Sequence, residues 1–131
     1  MIVADTSAFV EMLRATESPV DRAFVTAAAA RRLVVTEVVV GELLAGARDT
    51  AHRDRLLQLL DPFPVLPLGG PAGYQEAGDL YAHCRRAGVT VRRFTDCLVA
   101  VPAMRAGAAV LHRDRDFTQM ARVCALEVVP L

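Results

Sequence analysis

Residues 1–13 read MIVADTSAFVEML, and this stretch decides the fold class. The apolar run 1–4 predicts a short buried strand, and Asp5, Thr6 and Ser7 favour the start of a helix. We therefore predict a strand followed directly by a helix over 8–14. Ligands of open parallel sheets bind at the carboxyl ends of the strands, so Asp5 is a candidate functional residue.

The same alternation continues along the chain. Further strands are predicted at 33–35, 63–68, 108–111 and 126–129, and helices at 20–32, 36–47, 49–60, 72–87, 95–107 and 117–122. Thr36 is expected to cap the helix that it precedes. Alternating strands and helices predict an α/β fold with a mostly parallel sheet. Pro102 falls inside a predicted helix, where we expect a kink or an early helix end.

Composition bounds the class of protein. The chain has 131 residues, of which 53% are hydrophobic, and its formal net charge is zero. This length predicts a single domain over 1–131, and a sheet covered on both faces explains the apolar bias. Zero net charge excludes a strongly basic nucleic-acid coat but not a local basic surface. Every basic residue other than histidine is arginine, a residue suited to bidentate phosphate contacts, although genome base composition also explains this bias.

Cysteine usage and hydropathy bear on location. Cys84, Cys97 and Cys124 form an odd set without C-x-x-C spacing, which argues against a disulfide framework and a zinc site. The longest apolar stretch, 33–47, carries Glu37 and Glu42, so it is not a membrane span. No leader pattern is visible in residues 1–9. We therefore expect a cytoplasmic protein with no membrane contact.

Acidic residues stand at several positions where structure alone does not require them: Asp5, Glu42, Asp96, Asp114 and Asp116. Some follow the carboxyl ends of predicted strands, and others begin or lie inside apolar helices. Each one taken alone could be a helix cap, a solvent-exposed helix residue or a turn residue. Together they can converge in one crevice at the carboxyl edge of the sheet.

Converging carboxylates need positive charge to stabilise them, because their mutual repulsion raises their pKa values. A hard divalent cation with oxygen ligands meets this need, and Mg²⁺ or Mn²⁺ fits. Such an ion can activate water and stabilise the leaving oxygen of a phosphodiester. The acidic residues therefore predict a site for a divalent cation.

Four motifs in order resemble one known family, the PIN domains, and within it the VapC toxins. They are MIVADTSAFVEML (1–13), TEVVVGELLAG (36–46), FTDCLVA (94–100) and VLHRDRDF (110–117), and the similarity runs along nearly the whole chain. The resemblance implies a PIN-like three-layer sandwich, with a central sheet of four to five strands between helices. It also implies an endoribonuclease toxin of a type II toxin–antitoxin module that cleaves RNA, with transfer RNA or ribosomal RNA expected, and leaves 5′-phosphate ends.

Site residues follow from the resemblance position by position. Asp5, Glu42, Asp96 and Asp114 are implied as the catalytic acids. The implied metal ligands are Asp5, Asp96, Asp114 and Asp116, with direct contact best supported for Asp5 and Asp96. A VapB-type antitoxin is the implied protein partner, and a homodimer is the implied assembly.

RNA contacts are expected from a basic rim around the acids and from the first motif: Thr6, Ser7, Arg92, Arg93, Arg113 and Arg115. A solvated helix end and loop explain the same arginines equally well. The chain has no Trp and is only 5% aromatic, so extensive base stacking is not expected.

The sequence lacks residues that two other classes of α/β protein require. A receiver domain needs a late lysine, and the sequence contains none. A nucleotide-binding fold needs a Gly-rich turn, and neither G-x-G-x-x-G nor a P-loop occurs. A catalytically inactive PIN-like binding module and a metal-dependent nuclease acting on DNA remain the alternatives.

Overall fold

Five short strands form one sheet in the computed structural model, which describes residues 1–131. In chain order they are β1 (Ile2–Ala4), β2 (Leu33–Thr36), β3 (Val65–Leu66), β4 (Ala109–Leu111) and β5 (Glu127–Val128). The order across the sheet is β3-β2-β1-β4-β5, and every neighbouring pair is parallel. The predicted α/β class with a four- to five-stranded sheet is confirmed.

Seven helices flank this sheet. They are α1 (Thr6–Leu13), α2 (Pro19–Ala29), α3 (Glu37–Ala45), α4 (Thr50–Leu60), α5 (Gly70–Arg86), α6 (Phe94–Ala106) and α7 (Arg115–Ala121). The start of α2 follows from its sequence, because the Ser18 side chain accepts a hydrogen bond from the Asp21 amide and Pro19 occupies the first turn. The predicted helices all occur, with ends that differ by one or a few residues.

The core lies between the strands and the helices. All four residues of β2 are buried, as the apolar run predicts for a strand covered on both faces. Phe9, Phe24 and Phe63 pack edge to face, with ring centroids 4.9 to 6.1 Å apart. Each such pair contributes about 0.5–1.5 kcal/mol beyond area burial, so the cluster joins α1 and α2 to the chain before β3.

Sheet register positions the start of α1 beside the end of β4. Ala4 pairs with Leu111, and the Asp5 amide donates a 3.0 Å hydrogen bond to the Leu111 carbonyl. The chain after β1 and the chain after β4 therefore leave the sheet side by side at its carboxyl edge. This is the edge at which α/β proteins bind ligands.

Two local expectations are wrong, namely an early end of α6 at Pro102 and a capping bond from Thr36. Helix α6 continues through Pro102 to Ala106 and ends at Gly107, whose φ of 63° suits glycine. Residues on either side of Pro102 are buried, so tertiary packing offsets the one backbone bond that proline removes. Thr36 precedes α3, but its hydroxyl makes no capping bond and lies buried without a partner.

No helix has both the length and the apolar composition that crossing a membrane requires.

Candidate active site

Asp5 lies at the junction of β1 and α1 and is 3% exposed. Its Oδ2 accepts hydrogen bonds from the Ser7 amide at 3.0 Å and from the Ser7 hydroxyl at 2.7 Å. The structure therefore shows Asp5 capping α1, as its residue type suggests. Capping and function coexist, because these two bonds use one carboxylate oxygen and also fix the direction of the other.

Asp96 enters the same place from the first turn of α6. It is 3% exposed, and its Oδ2 is buried without any hydrogen-bond partner. Burial, with further repulsion from Asp114, Asp5 and Asp116, raises the pKa of Asp96 to about 7, against the lowering effect of Arg93. A buried carboxylate with a raised pKa and a free oxygen is a group that a cation would stabilise.

Asp114 and Asp116 follow β4, and both are buried. One carboxylate oxygen from each, together with one from Asp96, lies within 4.8 Å of the others. Asp114 also caps α7 by accepting a 3.0 Å hydrogen bond from the Asp116 amide. Burial alone would raise the pKa of Asp114, but this bond and the Arg93 and Arg92 guanidiniums outweigh burial and lower that pKa.

Glu42 reaches the site from α3 and is half-buried. The Thr6 hydroxyl donates a 2.8 Å hydrogen bond to Glu42 Oε1. Glu42 is thus held beside Asp5 through the residue next to Asp5 in sequence, and it does not join the group formed by Asp96, Asp114 and Asp116. The structure places the predicted acids at the carboxyl edge of the sheet, with Asp96, Asp114 and Asp116 in one close group and with Asp5 and Glu42 outside that group.

Arg92 and Arg93 neutralise part of this negative charge. Arg92 Nη2 donates to Asp114 Oδ1 at 2.9 Å, and Arg93 Nη2 donates to Asp114 Oδ2 at 2.7 Å. Arg92 also donates to Asp116, and Arg93 lies 3.8 Å from Asp96 Oδ1. Both arginine side chains remain more than half exposed, so each touches the acids on one side and solvent on the other.

Arg113 connects the loop after β4 to α1. Its amide donates a 2.9 Å hydrogen bond to the Ser7 hydroxyl, and its guanidinium pairs with the buried carboxylate of Glu11. Glu11 was not predicted as a site residue. Its position four residues after Ser7, on the same face of α1, was the available signal.

An open cleft of about 640 Å³ lies above the acids and has no hydrophobic lining residue. Its walls are Ser7, Arg92, Arg93, Arg113, Asp114 and Arg115. Among the four arginines, only Arg115 makes no ion pair. Thr6, which was expected to contact RNA, does not line this cleft, and its hydroxyl is engaged with Glu42. The cleft therefore places arginine guanidinium groups next to the carboxylate of Asp114.

The donor set suits a hard divalent cation. Every candidate ligand is a carboxylate oxygen, and neither cysteine nor histidine belongs to the cluster. The unpartnered Oδ2 of Asp96 is a ligand position without a competing hydrogen bond. His112 lies nearby, but burial lowers its pKa, and its Nδ1 accepts the Asp114 amide at 3.0 Å. His112 therefore shapes the loop through this bond.

Comparison with known proteins shows the family to which the chain belongs. The PIN domain family matches residues 2–123. Ribonuclease VapC11 of Mycobacterium tuberculosis is 39% identical over 129 residues, which are 97% of this chain and 96% of that protein. VapBC2 from Rickettsia felis, bound to a DNA fragment from its promoter, matches with a TM-score of 0.76 at 16% identity over 98% of both chains. VapBC-5 from Mycobacterium tuberculosis, of the VapBC family of toxin-antitoxin systems, has a TM-score of 0.66 at 24% identity, over 98% of this chain and 97% of that one.

Fold and site together define a PIN domain, and the chain belongs to the PIN domain family. Its identity to VapC11 over nearly the full length of both proteins places it among the VapC ribonucleases. The resemblance drawn from the four sequence motifs is confirmed. The roles of the individual site residues stay predictions.

Proposed function

We propose that this protein is a metal-dependent endoribonuclease and the toxin of a VapBC-type toxin–antitoxin pair. The observation that carries the proposal is the buried Asp96, which belongs to a close group of carboxylates beneath an arginine-lined cleft and whose Oδ2 has no hydrogen-bond partner. A buried acid in a cleft whose pKa is raised to about 7 by burial and by neighbouring carboxylates is typical of a functional site.

Asp5, Asp96 and Asp114 are the residues that we assign to the cation. When bound, Mg²⁺ or Mn²⁺ would supply a Lewis acid that activates water and stabilises the leaving oxygen of the phosphodiester. Ser7 holds the Asp5 carboxylate in place, while the register between β1 and β4 sets the spacing of Asp5 and Asp114. The protein thereby supplies a preformed set of oxygen ligands, which lowers the cost of assembling the site.

Glu42 has a separate role in this proposal. Thr6 engages one of its carboxylate oxygens, and the other makes no hydrogen bond within the protein. We assign that second oxygen to accept a hydrogen bond from the attacking water and so to orient it.

RNA phosphates are the ligands that we assign to the arginine walls of the cleft. Arg92, Arg93 and Arg113 use part of their donors on acids and keep their remaining N–H groups at the surface, while Arg115 is free of ion pairs. A guanidinium carries five N–H donors, so one arginine can contact a carboxylate and a phosphate together. The cleft thus binds the backbone over the acidic residues, where cleavage would occur.

Cleavage of total RNA tests this proposal. Wild-type protein and Asp96→Asn are incubated with total RNA or with DNA of matched length, with and without Mn²⁺, and new 5′ ends are mapped by sequencing. We expect discrete RNA ends, in the transfer RNA or ribosomal RNA fraction, that require both Mn²⁺ and Asp96. Cleavage of DNA alone, or RNA cleavage by Asp96→Asn at the wild-type rate, would contradict the proposal.

A VapB-type antitoxin is the partner that we propose. The solved relatives VapBC2 and VapBC-5 support it, since VapBC-5 is named as a toxin–antitoxin system. Co-expression with the protein encoded next to this gene, followed by purification through a tag on one chain, tests the pairing. Loss of Mn²⁺-dependent RNA cleavage in the purified pair is expected, whereas full activity would contradict an antitoxin role.

We also propose a homodimer formed through the face shared by α5 and α6. Tyr74 is 55% exposed and Phe94 is 41% exposed, and Tyr81 packs edge to face against Phe94 with ring centroids 6.2 Å apart. Exposed aromatic side chains grouped on one face are typical of association surfaces. Light scattering of wild type and Tyr74→Glu tests this assembly: we expect a dimer that dissociates on substitution, and a wild-type monomer contradicts the proposal.

A further inference from the structure

Asp116 lies within the acidic cluster, yet its hydrogen bonds differ from those of Asp96. Its Oδ2 accepts the Arg92 amide at 3.1 Å and Arg92 Nε at 3.2 Å, while Oδ1 accepts the same Nε at 3.2 Å. Every hydrogen bond that the Asp116 side chain accepts therefore comes from Arg92, whereas Asp114 divides its bonds among Arg92, Arg93 and the Asp116 amide. Asp96 Oδ2, in contrast, has no partner at all.

Arg92 is held by these bonds in a defined direction. The Arg92 side chain is 54% exposed, and Asp116 is 2% exposed. An exposed arginine has high rotamer freedom, and binding a ligand with such a residue loses that freedom. Because the buried Asp116 carboxylate accepts hydrogen bonds from both the amide and Nε of Arg92, most of this rotamer freedom is lost before any ligand binds.

The remaining N–H donors of Arg92 are available to a ligand in the cleft. Nη2 donates to Asp114 Oδ1, and Nη1 donates to no protein atom. Arg92 also lines the cleft together with Arg93, Arg113 and Arg115. The guanidinium that Asp116 holds therefore has N–H groups without a protein acceptor in the cleft above Asp114.

We propose that Asp116 is a positioning residue that fixes Arg92 as a phosphate-binding group and does not ligate the cation. This inference rests on the proposed function and assigns a different role to one acid of its cluster. The ligand class that the fixed arginine takes is a phosphodiester of the RNA backbone. Asp116 acts through Arg92, and the cation is held by the other acids.

The direction in which RNA affinity changes distinguishes this positioning role from a purely electrostatic effect. Asp116→Asn removes a negative charge from beneath the cleft, which by charge alone tightens RNA binding. If Asp116 positions Arg92, the same substitution loosens Arg92 and weakens RNA binding. Asparagine keeps one oxygen that can accept the Arg92 amide, so the backbone contact is retained.

Two binding assays test the proposal on wild type, Asp116→Asn, Arg92→Gln, the double variant and Asp96→Asn. Mn²⁺ affinity is measured by electron paramagnetic resonance of free Mn²⁺. RNA affinity is measured by fluorescence anisotropy of a labelled mixed-sequence RNA without divalent cations, so that no cleavage occurs. Arg32→Gln is the matched control for the loss of one arginine charge, because Arg32 is exposed and immediately precedes the amino end of β2, away from the site. Thermal melts establish that each variant is folded.

Asp116→Asn is expected to change the Mn²⁺ dissociation constant by less than about threefold, whereas Asp96→Asn weakens Mn²⁺ binding at least about tenfold. Asp116→Asn and Arg92→Gln are expected to weaken RNA binding by similar factors of roughly three to ten, with the double variant no weaker than either single variant. Arg32→Gln is expected to have a smaller effect.

Loss of Mn²⁺ binding in Asp116→Asn equal to that in Asp96→Asn would make Asp116 a ligand and overturn the proposal. Unchanged or tighter RNA binding in Asp116→Asn, or additive effects in the double variant, would overturn it as well. If Asp116→Asn fails to fold, Arg92→Gln still tests the RNA-binding part of the proposal, because Arg92 is the exposed member of the pair. Failure of the proposed function has a different result, namely no RNA cleavage by a wild-type protein that binds Mn²⁺, and the Mn²⁺ assay still decides the role of Asp116.

Discussion

The hydroxyl of Thr6 donates a 2.8 Å hydrogen bond to Oε1 of Glu42, 36 residues further along the chain. This bond joins the first turn of α1 to α3 beside Asp5. Thr6→Val keeps the shape of the side chain and deletes the donor, so we expect about 0.5–1.5 kcal/mol of lost stability. We also expect roughly tenfold slower RNA cleavage, because Glu42 loses its orientation.

Thr6→Ser is the matched control for that prediction, since serine retains the hydroxyl. Denaturant unfolding and initial rates of RNA cleavage are measured on both variants. Equal rates for Thr6→Val and wild type would show that the orientation of Glu42 does not matter for cleavage.

The raised pKa of Asp96 predicts how stability depends on pH without a metal. The pKa of Asp96 is about 7 in the folded protein and 3.8 ordinarily, so between these pH values the folded chain binds a proton that the unfolded chain does not. The free energy of unfolding therefore falls as pH rises from about 4 to 7 and levels off above that range. Each pKa unit corresponds to about 1.4 kcal/mol, so the decrease from this group is a few kcal/mol at most.

Urea unfolding in EDTA at pH 5 and pH 8 measures this effect. Asp96→Asn cannot titrate and is expected to lose much less stability between the two pH values than wild type. Identical losses in both proteins would show that Asp96 is not the titrating group. Saturating Mn²⁺ is expected to reduce the loss in wild type, because the cation stabilises the ionised carboxylate.

Gly73 and Gly78 offer a test of the packing of α5. A Cβ on Gly73 would lie 1.9 Å from the Leu68 carbonyl oxygen, whereas a Cβ on Gly78 meets nothing within 4 Å. Gly73→Ala is expected to destabilise the protein by about 1–3 kcal/mol or more. Gly78→Ala, in the same helix, is expected to stabilise it by up to about 1 kcal/mol. Thermal melts measure both, and equal effects of the two substitutions would be inconsistent with the approach of Leu68 to α5.

The ion pair between Glu11 and Arg113 predicts unequal effects from its two halves. Glu11 is 7% exposed, whereas the Arg113 side chain is 61% exposed. Arg113→Gln leaves a buried carboxylate unpaired and is expected to cost roughly 1–3 kcal/mol. Glu11→Gln leaves a cation that solvent can reach and is expected to cost less. A chemical denaturation cycle that includes the double variant checks this order, and a larger loss for Glu11→Gln would reverse the account of the pair.

The position of the site could be predicted from sequence because it depends only on where the strands end and on their parallel direction. Short apolar runs followed by polar residues mark strand ends, and parallel strands bring those ends to one edge. Asp5 and Asp114 were predicted to meet for this reason, and the register of β1 with β4 places their segments side by side. Strand identity and direction alone decide this proximity.

Side-chain pairing could not be predicted in the same way. The arginines at 92 and 93 were expected to form a basic rim, but which acid each one contacts depends on how α6 packs against the loop after β4. Likewise, Pro102 has a local preference to interrupt a helix, and only the burial of α6 overrides it. These features depend on tertiary packing, which local sequence patterns do not encode.

Anomalous diffraction from crystals grown with Mn²⁺ tests the central claim most directly, since it locates the cation without reference to activity. We predict an anomalous peak at the carboxyl edge of the sheet, bonded to Asp96 Oδ2 and to oxygens of Asp5 and Asp114, at metal–oxygen distances of about 2.0–2.2 Å. The peak should be absent in Asp96→Asn. A cation bound elsewhere on the protein, or no peak at saturating Mn²⁺, would contradict the account.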